Sequence, residues 1–123
     1  MPARLRPAPA DEVSAALTAA PRSPEQTRLL VKHFLAVLAE RAPGASVEVR
    51  VPPYAAVQAV AGVRHTRGTP PAVVEVDADT WIALATGSLS WTDAENEARV
   101  RASGERADLS PLLPLYDVPG DHA

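Results

Sequence analysis

The 123-residue chain has no cysteine, one methionine and five aromatic residues: two tryptophans, two tyrosines and one phenylalanine. Without cysteine there is no disulfide, thiolate zinc site, iron–sulfur cluster or cysteine nucleophile. Clustered positive charge is lacking too. Twelve Lys and Arg against fifteen Asp and Glu leave a net charge of −3, which argues against a protein built to neutralise a phosphate backbone, so no nucleic-acid partner is expected. No stretch approaches the roughly 20 apolar residues that span a bilayer, and an integral membrane protein is not expected. The start, Met1 to Pro7, is basic, but Asp11 and Glu12 stand where a secretion signal needs an unbroken apolar run. A cytoplasmic location follows as the expectation.

What is present fits one core. A chain of this length forms a single domain burying roughly two-thirds of its unfolded surface, with residues 1–9 and 116–123 expected to be loose tails. The hydrophobic fraction is 46%, much of it alanine, so the few large apolar side chains carry the packing.

Capping signals organise the helices. Asp11-Glu12-Val13-Ser14 offers an N-cap and an acidic first turn before an alanine-rich run that Pro21 stops. Ser23-Pro24-Glu25-Gln26 combines a cap serine, a first-position proline and a glutamine three residues after the cap, and predicts a long helix ending before Pro43-Gly44. That helix carries Leu30, Phe34 and Leu38 on one row and Leu29, His33 and Val37 on the next. Asp77 begins a helix with Trp81 and Leu84 that Gly87 ends in a left-handed conformation, and Ser90 caps a second one with Trp91 and Ala94.

Between and after the helices the period changes to two. Val47, Val49 and Val51 alternate with Glu48 and Arg50; Tyr54–Val60 and Ala72–Val76 read as two more strands. Connections this short leave no room for crossover helices and predict a three-stranded antiparallel meander. Arg99–Ser103 and Arg106–Leu109 read as a returning hairpin turned at Gly104, giving five strands, and Ser110-Pro111 repeats the cap-and-proline signal before Leu112-Leu113. The predicted fold is α+β: a five-stranded, mostly antiparallel sheet covered on one face by helices. Glu48, Arg50, Glu75, Arg99 and Arg101 fall on the opposite, solvated face.

Candidate site residues are few. Phe34, Leu38, Val57, Trp81, Leu84, Leu89, Trp91 and Leu112 are apolar positions that can line a pocket between helices and sheet, and the same spacing serves a plain core; both readings stand at this level. Arg64, His65 and Arg67, beside Gly68, form a candidate anion contact, with a solvated loop as the alternative. His65 with Asp77 or Asp79 and Ser88 or Ser90 supplies the residue types of a triad, but there is no Gly-x-Ser-x-Gly elbow, so no catalytic residue is assigned and no enzyme is expected. His33, His65 and His122 lack metal-ligand spacing; no metal or cofactor is expected.

The order Asp79–Leu84, Gly87-Ser88-Leu89, Trp91–Ala94, Arg99–Gly104 and Leu112-Leu113 resembles the ending of the bacterial branch of the sterol carrier protein type 2 family, and Arg64–Pro71 is similar to its short actinobacterial-type members. The resemblance implies a five-stranded sheet whose helices enclose an apolar tunnel, and a non-enzymatic carrier of a lipid-like ligand. Family members also occur fused to enzymes, so an accessory module docking on a partner protein is the alternative.

Overall fold

A computed structural model describes residues 4–62, 71–104 and 107–116. Four helices lie with a four-stranded mixed sheet: α1 Ala10–Thr18, α2 Pro24–Arg41, β1 Val47–Val51, β2 Ala55–Ala59, β3 Ala72–Val76, α3 Ala78–Thr86, α4 Trp91–Asn96, β4 Val100–Ser103, and a 3-10 turn over Ser110–Leu112. No helix among the described residues is long and apolar enough to cross a membrane.

Local chemistry explains the helix ends. At α2 the Ser23 hydroxyl accepts from the Gln26 amide (3.1 Å) while the Gln26 side chain accepts from the Ser23 amide (2.9 Å), so two orphan donors are satisfied reciprocally. Asp77 and Ser90 cap α3 and α4 as their spacing predicts, and Gly87 closes α3 at φ +86°. At α1 the expectation needs correction: the helix starts one residue before Asp11, after Pro9, and Asp11 sits in the first turn without a capping bond. Ser110 does not cap the final turn either; its amide is taken by the Asp108 carboxylate at 2.9 Å.

Helix α4 ends without a glycine. Ala98 adopts φ +57°, its amide donates to the Glu95 carbonyl (3.0 Å) and the next amide, Arg99, reaches back to Ala94 (2.9 Å). This is the paired closure in which a left-handed residue follows the helix, a conformation that strains any side chain bearing Cβ. Ala98→Gly is therefore expected to raise stability by about 0.5–1 kcal/mol, the strain relieved exceeding the added chain entropy. Urea unfolding reads it, and a lower midpoint would contradict it.

The sheet order is β2-β1-β3-β4, which corrects the predicted meander. β1 pairs antiparallel with β2 (Val47 opposite Ala59) but parallel with β3 (Val47 opposite Ala72). A parallel neighbour needs a long crossover only when the chain must travel back along the sheet. Here β2 makes that return, leaving the chain at the end where β1 begins, and β3 starts there on β1's other side. β4 pairs antiparallel with β3, Val76 opposite Val100.

Among the described residues there is no fifth strand. Ala107 and Leu109 are buried and Asp108 is exposed, which reproduces the alternation of a strand, but the Asp108–Ser110 bond and Pro111 turn the chain into the 3-10 turn. Alternation reports which side chains are buried, not whether a neighbouring strand is within reach. Val47, Val49, Val51, Val74 and Val76 face the helices, while Glu48, Arg50, Glu75 and Arg101 stand on the other face.

Candidate functional site

The eight apolar candidates converge. Phe34, Leu38, Trp81 and Leu84 are at most 1% exposed and Trp91 is buried; Val57, Leu89 and Leu112 are half-buried and pack against the same cluster. Two of them make specific contacts: Trp81 donates its indole N–H to the Val31 carbonyl on α2 (3.3 Å), and Phe34 meets Tyr116 edge to face at 6.2 Å. None of the eight borders either of two surface clefts formed by described residues. Arg64, His65 and Arg67 lie outside the described residues. Of the triad candidates, Asp77 and Ser90 serve as helix caps and the Ser88 hydroxyl donates to the Ala83 carbonyl at 3.3 Å.

One cleft, of about 270 Å³, is formed by a part of the molecule expected to be loose. Glu25, Arg28, Leu29, Lys32 and His33 follow the i, i+3, i+4, i+7 spacing of one helix side, so the opening turns of α2 present them together. The segment before α1 runs alongside: Arg6 and Ala8 complete the wall, and the Ala8 amide donates to His33 Nδ1 at 2.9 Å. Leu5 and Ala8 also pack on the core. The floor is mostly apolar, supplied by Leu29, Ala8 and the aliphatic stems of the basic side chains.

Charge in this cleft is unbalanced. Arg6, Arg28 and Lys32 face a single carboxylate, Glu25, and none of the three lies within ion-pair distance of a described carboxylate. The ion pairs formed among the described residues are Arg50–Glu48 and Arg99–Glu97. Burial lowers the His33 pKa, against a raising influence from Glu40, so the imidazole is held neutral and its Nδ1 is free to accept the Ala8 amide.

The other cleft, of about 460 Å³, is balanced internally. Pro52, Glu75, Val76, Asp77, Ala98, Arg99 and Arg101 line it, with Arg101 opposite Glu75 in the sheet register. The Thr80 hydroxyl donates to Asp77 Oδ1 (2.6 Å) and accepts from Arg99 Nε (3.0 Å). Partial burial acts to raise the Asp77 carboxyl, but the Thr80 hydroxyl, the amides of Thr80 and Asp77 and the Arg99 charge outweigh it and hold the group below its ordinary value. Two carboxylates and two guanidiniums balance one another in number here, whereas the first cleft carries an excess of cations.

The sequence placed His33 beside Leu29 on α2 but did not reveal this site, because two of its seven lining residues, Arg6 and Ala8, come from a segment with no local structural signal. The stripe Glu25, Arg28, Lys32 was readable; what lies over it was not. Among the described residues, no three His, Asp or Glu side chains are grouped to hold a metal ion.

No curated protein matches the sequence. Residues 23–115 match the family model described as "Bacterial SCP ortholog". That span starts at the Ser23 cap of α2 and runs through the whole sheet, both tryptophan helices and Leu115, while Arg6 and Ala8 fall before it. With some three-quarters of its length matched, from 23 to 115 or 93 of 123 residues, the chain belongs to the bacterial SCP ortholog family, the sterol-carrier-protein-like group its motifs resembled.

Proposed function

We propose that the protein is a non-enzymatic binding protein for a small amphipathic ligand with an acidic head, seated between the N-terminal segment and α2. One observation carries this: three cations without an ion-pair partner among the described residues surround an apolar floor. A cation left without a partner is available to an anion, and an apolar surface beneath it suits a short hydrocarbon tail. Family membership supports a lipid-like ligand. The volume, about 270 Å³, lies at the small end for ligand pockets and favours a short chain over a sterol body.

Titration with octyl sulfate at pH 7.5, followed by calorimetry and by amide shifts at Leu29 and Lys32, tests the reading. The wild type is expected to bind, 1-octanol to bind at least tenfold more weakly, and R28Q/K32Q to lose about tenfold or more, the range for hydrogen bonds to charged groups. Equal affinity for the neutral alcohol, or an unaffected double variant, would remove the acidic head from the proposal. No binding of either probe would favour the accessory-module alternative, for which a filled interior serves equally well.

A further inference from the structure

The N-terminal segment is tied to α2 by one hydrogen bond among the described residues, from the Ala8 amide to His33 Nδ1, across 25 positions of sequence. Its other hold is apolar contact through Leu5 and Ala8. The acceptor is unusual in that it can be abolished by a single proton. A neutral imidazole offers one acceptor nitrogen, whereas an imidazolium has two N–H donors and none, so protonation sets N–H against N–H at this contact. The ring has limited freedom to turn away, since it is half-buried and lies edge-on against Phe34 at 4.9 Å.

We infer that His33 is a positioning residue: neutral, it latches the N-terminal segment over the cleft and so places Arg6 there; protonated, it lets that segment go. The inference rests on the cleft reading only for its consequence to a ligand. The latch itself is a property of the ligand-free chain.

Arg6 comes from the N-terminal segment; Glu25, Arg28 and Lys32 share the cleft from α2; Glu40 lies further along α2; Tyr116 stands across Phe34. Three of these are cations that oppose a further positive charge, and the Glu40 contribution does not overcome burial. The sign follows from the lowered folded-state value. Burial of the neutral ring adds stability that is present above the unfolded pKa, 6.5, and is lost as pH falls below it through the lower folded value, and the Ala8 hydrogen bond goes with the acceptor nitrogen.

The test follows the Ala8 amide by NMR hydrogen exchange, as protection factors corrected for intrinsic rates, in the full chain between pH 5 and 7.5. Wild type is expected to lose at least tenfold protection at Ala8 across that range. His33→Asn keeps an acceptor oxygen in the Nδ1 position but does not titrate, and is expected to hold protection constant; His33→Phe, which retains a packed ring, is expected to lose it at every pH. Octyl sulfate, anionic throughout the range, is expected to bind more weakly in acid to wild type and unchanged to H33N. Ala8 protection independent of pH in wild type, or falling equally in H33N, would overturn the latch while leaving the cleft reading intact. A titrating Ala8 without octyl sulfate binding would support the latch and discard the ligand.

Discussion

Replacing Trp81 with alanine is expected to lower the stability by about 3–5 kcal/mol, the range for truncating a fully buried tryptophan. The side chain is 0% exposed, projects from α3 into the space bounded by α2 and the sheet, and is the largest fully buried group in the protein. Its removal leaves a cavity that Phe34, Leu38 and Leu84, themselves fixed on helices, can only partly fill. Such a loss is a large share of the 5–15 kcal/mol typical of a folded domain. Urea unfolding monitored by far-UV circular dichroism measures it without relying on the fluorophore being deleted. Trp81→Phe is expected to lose less, about 1–2 kcal/mol, because the Val31 carbonyl keeps its place in the α2 ladder when the indole donor goes. The result bears on function. A loss below about 1 kcal/mol for the alanine variant would mean that the space around Trp81 closes readily, as a pliable ligand tunnel does, and would reopen the interior as a binding site.

Gly44→Ala is expected to be comparably damaging, about 3–5 kcal/mol, for a reason in the backbone. Gly44 joins α2 to β1 at φ +149°, and a Cβ there would occupy the position of the Val60 carbonyl and the Ala61 nitrogen. Neither can yield cheaply. The Val60 amide donates to the Ala42 carbonyl (2.6 Å), and its carbonyl accepts both from the Ser46 amide (3.0 Å) and from the Ser46 hydroxyl (2.7 Å). Ser46 in turn accepts from the Ala72 amide at 2.9 Å, so this corner holds the end of α2, the start of β1, the end of β2 and the start of β3. Val60 is itself held at φ +68°, unfavourable for a β-branched residue, and persists there because the surrounding bonds demand it. Thermal unfolding gives the overall loss, and exchange at the Ser46 and Val60 amides locates it. Gly62→Ala, whose Cβ would meet, among the described residues, only the Ser46 Cβ at 3.3 Å, is the control and is expected to change stability by about 1 kcal/mol or less. Equal stability of the two variants would show that the corner is not rigid.

Both substitutions act where the helices and sheet are joined, and legibility from sequence divides at the same boundary. Ser23, Asp77 and Ser90 announced their helices because a cap involves atoms three residues apart. Val47, Val49 and Val51 announced β1 because alternation along one strand follows from the pleat. The pairing of β1 with β3 was not legible, since short connections are compatible both with a meander and with a return through β2. Ala107-Asp108-Leu109 misled for a related reason: burial alternated without a strand partner. As for the site, the apolar candidates fall in one hydrophobic cluster, and spacing alone could not separate a pocket lining from a packed core. The cleft beside His33 was invisible because Arg6 and Ala8 lie outside any helix or strand and reach α2 across a long stretch of sequence.

By itself, then, the sequence determined the helices, the caps of α2, α3 and α4, the alternating strands, the apolar rows and the family. Tertiary structure decided which strand lies beside which, that Trp81 and Phe34 are packed as core, and that three cations share one cleft with His33. The physical reason is range. Capping and periodicity are settled by atoms within a few residues, whereas strand order, packing and the convergence of Arg6 on Arg28 and Lys32 depend on which distant surfaces the whole chain brings together.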